Sequence, residues 1–327
     1  QAIVRPRPPG SDMMPIVACN EARTGGHMHH ISWLEAGVIG AVQGMTELFP
    51  VSSLGHSVLI PAVIGGSWQA DLNVSSPESP YLAFVVGLHV ATAVALIIYF
   101  RRDWLRIVTG LITSIAHRSV RTADQRLAWL LVLATIPVGL VGLLAEHWFR
   151  TTLSKPVPTA VFIMINGLLL LGAEALRRRD RTVDTEYVDE RTTGPTSDRH
   201  LARQPAGQAT LIGSAQILAL APGISRSGVT MVAGMLRGLN REDAARFSFL
   251  LATPVILAAG ALKLGDLTGP LGDGVRGQVL FGSLMSGIGA YLSVRFLTRY
   301  FANRSLRPFG VYCVVVGVAC LVWFTVR

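Results

Sequence analysis

Three features of this chain predict an all-α, polytopic membrane protein. Half of its 327 residues are hydrophobic and only 15% are charged. Several windows are long and apolar enough to cross ~30 Å of hydrocarbon, which takes roughly 20 residues. One Pro-centred pattern also occurs twice, as QGMTELFPVSSLGH over residues 43–56 and QILALAPGISRSGVT over residues 216–230. The expected architecture is about six full transmembrane helices plus two Pro-broken re-entrant helix hairpins, arranged as an inverted-topology repeat.

Taken in order, residues 1–30 are polar, contain Pro and Arg, and lack the apolar core of a signal peptide. They read as a disordered N-terminal extension, with Met28 an alternative start. Its His27, His29 and His30 fit a flexible tail better than a metal site. The first half, residues 31–176, holds a hairpin at 31–66 and spans at Leu82–Phe100, Leu127–Ala145 and Val157–Leu176. Residues 177–207 mix both charge signs with Pro, Gly and Thr and read as a solvated cytoplasmic linker. The second half, residues 208–327, holds a hairpin at 208–241 and spans at Ala244–Leu264, Val279–Phe296 and Phe309–Val326. Cys19 lies in the tail, and Cys313 and Cys320 sit in the last span as small hydrophobes. No metal spacing or disulfide framework is present.

The net charge of +9 does not indicate nucleic acid, because the basic residues cluster at the ends of apolar spans. There they set topology. Arg101, Arg102 and Arg106, then Arg118, Arg121 and Arg126, lie between two spans. Arg177–Arg179 end the third, and Arg295, Arg299, Arg304 and Arg307 separate the last two. The opposite connections, Ser67–Pro80 and Gly265–Gly277, carry Asp or Glu and at most one Arg. The positive-inside rule puts the first set in the cytoplasm and the second outside. One hairpin then enters from each side. The plainer alternative, two pairs of tilted full spans, is disfavoured because Pro50 and Pro222 break the helices where polar residues begin.

The two copies are chemically unequal. In the first, Gln43 and Glu47 are four apart and share a helix face. A carboxylate at mid-bilayer costs ~2.5–3.5 kcal/mol even on a lenient scale, so Glu47 needs a partner, a wet cavity or a cation. The bland reading pairs it with Arg226 as a structural bridge. After Pro50 come Ser52, Ser53, Gly55 and His56, a capping and acid–base set. In the second copy Gly223 and Gly228 permit close backbone approach, while Ser225, Ser227 and Thr230 supply hydroxyls. Arg226 supplies a planar fork suited to phosphate oxygens. With N–H groups at a helix start this is an anion cradle. It lacks the Gly-Lys-Ser/Thr element of a nucleotide P-loop.

At these residues the chain resembles the undecaprenyl-diphosphatase family, the bacitracin-resistance membrane phosphatases. The matching elements are Gln43–Glu47 with Pro50–His56, Pro222–Thr230, and the run Ala244–Pro254. The resemblance covers about residues 31–326. It implies hydrolysis of undecaprenyl diphosphate to the monophosphate and phosphate, recycling the lipid carrier of cell-wall synthesis. It further implies a multi-pass protein of the bacterial plasma membrane, a site facing outward and a required divalent cation, Mg²⁺ or Ca²⁺. Carried onto this chain, Glu47, Ser53, His56 and Arg226 form the catalytic set, with Glu47 the metal ligand. Gln43, Ser52, Gly223, Ser225, Ser227 and Thr230 support substrate binding. The family has Glu or Gln at the first acidic position, so Gln43 fits a hydrogen-bonding role rather than a second carboxylate.

The expected chemistry has Arg226 and backbone N–H groups holding phosphates, Ser53 attacking, and His56 as its base or as acid toward the leaving group. Direct attack by water is the alternative mechanism. A different class of membrane lipid phosphatase is disfavoured, since it needs a His after its Ser-Arg element and none follows Arg226. A polyprenyl-phosphate transporter using the same anion site is the alternative function, because broken helices in inverted repeats are transporter architecture. Partners are the polyprenyl diphosphate and the bilayer, with a homodimer allowed and nucleic acid excluded. The topology is testable by single cysteines in a background lacking the natural ones. Ser75→Cys should react with an impermeant maleimide from outside and Thr193→Cys only after the inner face is opened; the reverse pattern overturns the assignment.

Overall fold

The computed structural model describes residues 31–72, 80–180, 195–262 and 274–326, which are helical with no strand among them. The expected N-terminal extension, with its histidines and Cys19, lies outside these residues. The helices are α1 (Trp33–Leu48), α2 (Ser53–Ile64), α3 (Gly66–Asp71), α4 (Pro80–Tyr99), α5 (Arg101–Ala116), α6 (Ala123–Leu153) and α7 (Pro156–Asp180). They continue with α8 (Pro195–Ala202), α9 (Ala206–Ser214), a 3₁₀ segment (Ala215–Leu220), α10 (Arg226–Leu236), α11 (Arg241–Leu262), α12 (Arg276–Asn303) and α13 (Arg307–Val326).

Five of these, α6, α7, α11, α12 and α13, are long and apolar enough to cross a membrane, and six if the bent pair α4–α5 counts as one span. The bend was not anticipated: the chain turns by 90° after Tyr99, and α5 leaves in a new direction. Its Leu105, Val108, Ile112 and Ile115 recur at helical spacing and are exposed, giving the apolar stripe of an interfacial helix.

Both motif segments are broken at their prolines. Phe49, before Pro50, is extended (φ −65°, ψ 140°), and Ala221, before Pro222, is extended likewise (φ −75°, ψ 121°). A proline's ring excludes the helical conformation from its predecessor, so α1 and the 3₁₀ segment end there. Serines restart the helices: Ser52 Oγ accepts from Gly55 N at 3.2 Å, and Ser225 Oγ accepts from Gly228 N at 3.1 Å. The 12 residues of α2 and 11 of α10 rise only about 16–18 Å at 1.5 Å per residue, too short to cross. The second hairpin departs from the expected two α-helices, since its first arm finishes as the 3₁₀ segment.

The halves interleave. α1, from the first half, packs along α12 of the second, while α9, from the second, packs along α6 of the first. The remaining pairings follow the same exchange, α4 against α12 and α11 against α6, with α4–α11 and α7–α13 meeting as equivalents. Glycine makes the closest of these contacts. A Cβ on Gly44 would lie 2.1 Å from Ser286 O, and one on Gly213 would lie 2.1 Å from Ala134 O.

The segment read as a solvated linker differs where it is described. Residues 195–202 form α8, with Leu201, Ala202 and Asp198 buried. Asp198 accepts from Arg106 on α5 at 2.6 Å and from Arg246 on α11 at 2.7 Å. Arg246 also reaches Asp103 at 3.1 Å. One charge of that segment, Asp198, thus pairs across three helices, while Arg199 and Arg203 are exposed and residues 181–194 lie outside the described residues. A second buried pair, Arg241 bidentate on Glu174 at 2.7 and 2.6 Å, joins α11 to α7, and Leu306 N adds a third donor at 2.9 Å.

Gly44→Leu and Gly213→Val should each push two backbones apart, at a cost above the ~1–3 kcal/mol usual for overpacking. The measurement is monodispersity and thermal midpoint in detergent. Gly172→Ala, where an added Cβ meets nothing within 4 Å, should be silent.

Candidate active site

The two Pro-broken turns face each other, and a small set of side chains fastens them. Ser227 Oγ donates to Phe49 O at 3.2 Å, and Ser225 Oγ lies 3.0 Å from Ser227 Oγ and 3.4 Å from that same carbonyl. Asn166 on α7 spans both turns, donating to Pro50 O at 3.0 Å and accepting from Ser225 N at 3.0 Å. Ser225 and Ser227, expected to hold substrate, thus also hold one turn to the other.

Glu47 is the centre of the arrangement. Buried near the end of α1, its Oε1 accepts from Arg226 Nη2 at 3.2 Å. Its Oε2 accepts from Gln43 Nε2 at 2.8 Å and from the Ser53 hydroxyl, and faces His89 Nε2 at 3.3 Å. The sequence-predicted Glu47, Ser53, Gln43 and Arg226 are therefore brought together. Both ring nitrogens of His89 meet acceptors, since Nδ1 lies 2.8 Å from Val85 O.

His56 stands apart from Ser53's proton. Its Nδ1 lies 2.7 Å from Ser52 O and its Nε2 lies 2.8 Å from Tyr312 Oη. No hydrogen bond joins His56, expected as the serine's base or as acid toward the leaving group, to Ser53, whose hydroxyl donates to Glu47, six residues earlier. Ser52 sits at φ 71°, ψ 101°, outside the regions favoured by L residues, a conformation that costs about 1–3 kcal/mol. Its carbonyl accepts from His56, while its hydroxyl caps α2.

Two further residues of the expected binding set make internal contacts. Gly223, read as allowing close backbone approach, sits at φ 112°, where a Cβ would lie 2.6 Å from Thr159 O and 2.7 Å from Phe162 Cβ. It lets the turn seat on α7. Thr230 Oγ1 donates to Arg226 O at 2.8 Å, within its own helix. Of the expected anion cradle this leaves the Arg226 guanidinium, paired with Glu47, at the N-terminus of α10.

Fit to a divalent cation rests on the oxygen donors. Among the described residues there is no group of three His, Cys, Asp or Glu able to hold a metal. Gln43 Oε1, however, is buried and without a hydrogen-bond partner, four residues from Glu47. One carboxylate and one free amide oxygen on a single helix face suit a hard cation that takes its other ligands from water or phosphate.

With this geometry in view, the comparisons decide the family. A profile for the bacitracin resistance protein BacA matches residues 36–319. The chain belongs to the BacA family. An undecaprenyl-diphosphatase of Mycolicibacterium paratuberculosis is 59% identical over 302 residues, 91% of this chain and 99% of the relative. Undecaprenyl-diphosphatase 1 of Frankia casuarinae is 52% identical over 368 residues, covering 91% and 99%. Undecaprenyl-diphosphatase 2 of Chromobacterium violaceum is 42% identical over 295 residues, covering 89% and 98%. The BacA match includes both broken turns, α4 with His89 and α13 with Tyr312.

Sequence reasoning missed His89, Asn166 and Tyr312. The available signal for His89 was an ionisable side chain in an otherwise apolar span, which is a functional hypothesis by default. Asn166 and Tyr312 carry no such mark. Asn166→Ala should lower the thermal midpoint, as it leaves Ser225 N unpaired at ~1–3 kcal/mol and Pro50 O with only the weak Cys313 thiol donor. Asn166→Asp, which keeps an acceptor for Ser225 N, should recover part of that loss.

Proposed function

We propose that this protein hydrolyses a polyprenyl diphosphate, undecaprenyl diphosphate being the substrate named for its relatives, to the monophosphate and inorganic phosphate. The observation that carries the reading is the Ser53–Glu47–Arg226 constellation. A hydroxyl donates to a buried carboxylate that is itself paired with a guanidinium at a helix N-terminus. Catalysis of phosphoryl transfer is largely positioning and electrostatic stabilisation. Arg226 and the N–H groups opening α10 bind the diphosphate oxygens and stabilise charge that builds on them.

Ser53 attacks the terminal phosphorus as Glu47 takes its proton. The bond to the bridging oxygen breaks, and its electron pair leaves with the lipid monophosphate. Water, deprotonated by His56, then attacks the phosphoserine; the Ser53–phosphorus bond breaks, Glu47 returns the proton to Oγ, and His56 gives up its proton to the departing phosphate. Glu47 and Gln43 Oε1 would hold a Mg²⁺ or Ca²⁺ carried in with the diphosphate, which when bound neutralises phosphate charge. The physiological setting is the bacterial plasma membrane, with the site open to the outer side. There the reaction returns the lipid carrier to cell-wall synthesis and accounts for bacitracin resistance.

The decisive experiment is phosphate release from a polyprenyl diphosphate by purified protein in detergent, with Mg²⁺ or Ca²⁺ present. Glu47→Ala, Arg226→Ala and Ser53→Ala should each lower kcat by ~10²–10³-fold or more, the range seen when one transition-state contact is removed. Full activity in Ser53→Ala sinks the serine route in favour of direct water attack. Binding without release in the unaltered protein sinks hydrolysis and favours a carrier.

A further inference from the structure

Tyr312, near the start of α13, lies in sequence far from both motifs, yet its hydroxyl closes the site's proton chemistry on one side. The Ser52 carbonyl can only accept, so His56 Nδ1 carries the proton of that 2.7 Å bond. In the neutral imidazole Nε2 is then the basic nitrogen, and Tyr312 O–H donates to it at 2.8 Å. The two rings are stacked, 5.8 Å between centroids and 7° from parallel. His56 is buried, whereas Tyr312 is 44% exposed. The phenol therefore stands between the base nitrogen and the exterior of the protein.

The geometry points to Tyr312 as a positioning residue for the hydrolytic half of the reaction. Its hydroxyl caps the single Nε2 lone pair while the site is at rest, its stacked ring fixes the imidazole plane, and the nitrogen is released to the attacking water when the phenol changes partner. This rests on the phosphatase reading above. In the step it serves the phenol turns from Nε2, a water proton moves to that nitrogen, the oxygen bonds to phosphorus, the Ser53 oxygen leaves with the electron pair and recovers its proton from Glu47, and His56 passes its proton to the departing phosphate. Tyr312 changes hydrogen-bond partners without gaining or losing a proton overall. Formation of the phosphoserine, which uses Ser53 and Glu47, does not involve it.

Selective slowing of one half-reaction is therefore the signature. Tyr312→Phe keeps the ring and removes the hydroxyl. It should lower kcat about tenfold, within the range attributed to one positioned proton-transfer group, with KM within twofold and the thermal midpoint unchanged. Phosphorylated Ser53, read by mass spectrometry after acid quench with polyprenyl diphosphate, should accumulate above the unaltered protein. Tyr312→Ala should behave similarly with a lowered midpoint. Unchanged kcat in Tyr312→Phe overturns the proposal, as does a fall in kcat with no phosphoserine build-up. Failure of the phosphatase reading itself is separable, because the unaltered protein would then release no phosphate.

Discussion

A carboxylate removed from water must be enclosed by donors, and Glu47 is enclosed by groups from four different helices. Gln43 comes from its own helix, Ser53 from α2, His89 from α4 and Arg226 from α10. Loss of Arg226 leaves charge uncompensated, and loss of Gln43 or Ser53 leaves the carboxylate short of a donor, in a medium where either is expensive. The arrangement of the hairpins follows from this need. The turns must meet so that a guanidinium of one reaches the carboxylate of the other, and Asn166, Ser225 and Ser227 hold them at that distance. Binding and structural roles are therefore not separable here. The bridge between Glu47 and Arg226 is both a fastening and the part that a phosphate would engage.

The close glycine contacts serve the same end at longer range. α1 carries Gln43 and Glu47 along one face and Gly40 and Gly44 along another, where backbone meets backbone of α12. That seating fixes the height of the carboxylate relative to α4 and hence to His89. Away from the turns, Asp198 and Glu174 tie α5, α7, α8 and α11 through paired arginines. Buried pairs of this kind contribute modestly to net stability but strongly disfavour arrangements in which one member is left alone.

Much of the architecture was legible in the residues themselves. Apolar windows of the right length marked the spans, and prolines followed by Ser and Gly marked the breaks, because both signals are local. Glu47, Ser53 and Arg226 were legible for the same reason, being polar groups concentrated in short motifs. His89, Asn166 and Tyr312 act through neighbours 42, 59 and 256 positions away, and no local pattern carries such a relation. The partner of Ser53 was not legible, because two candidates, Glu47 and His56, lie close in sequence on either side. Only the turn's conformation, with Ser52 at positive φ and its carbonyl toward His56, separates them. The bend into α5 was missed because a span search stops at the first arginines, although the following stripe at 105, 108, 112 and 115 has clear helical spacing.

Interleaving of the halves also restricts how the molecule can move. In a rocking carrier, each repeat turns as a rigid body around a fixed site, and the two outward and inward forms differ little in free energy. Here α1 travels with α12 and α9 travels with α6, so neither repeat is a body of its own. Turning one against the other would drag glycine-seated backbones past carbonyls that leave no clearance for even a methyl group. What can move without that penalty is small and local: side chains at the rim, or the exposed flank of α13. A lipid whose headgroup reaches the turns from the side would need nothing larger, so the chemistry can proceed in a scaffold that stays still.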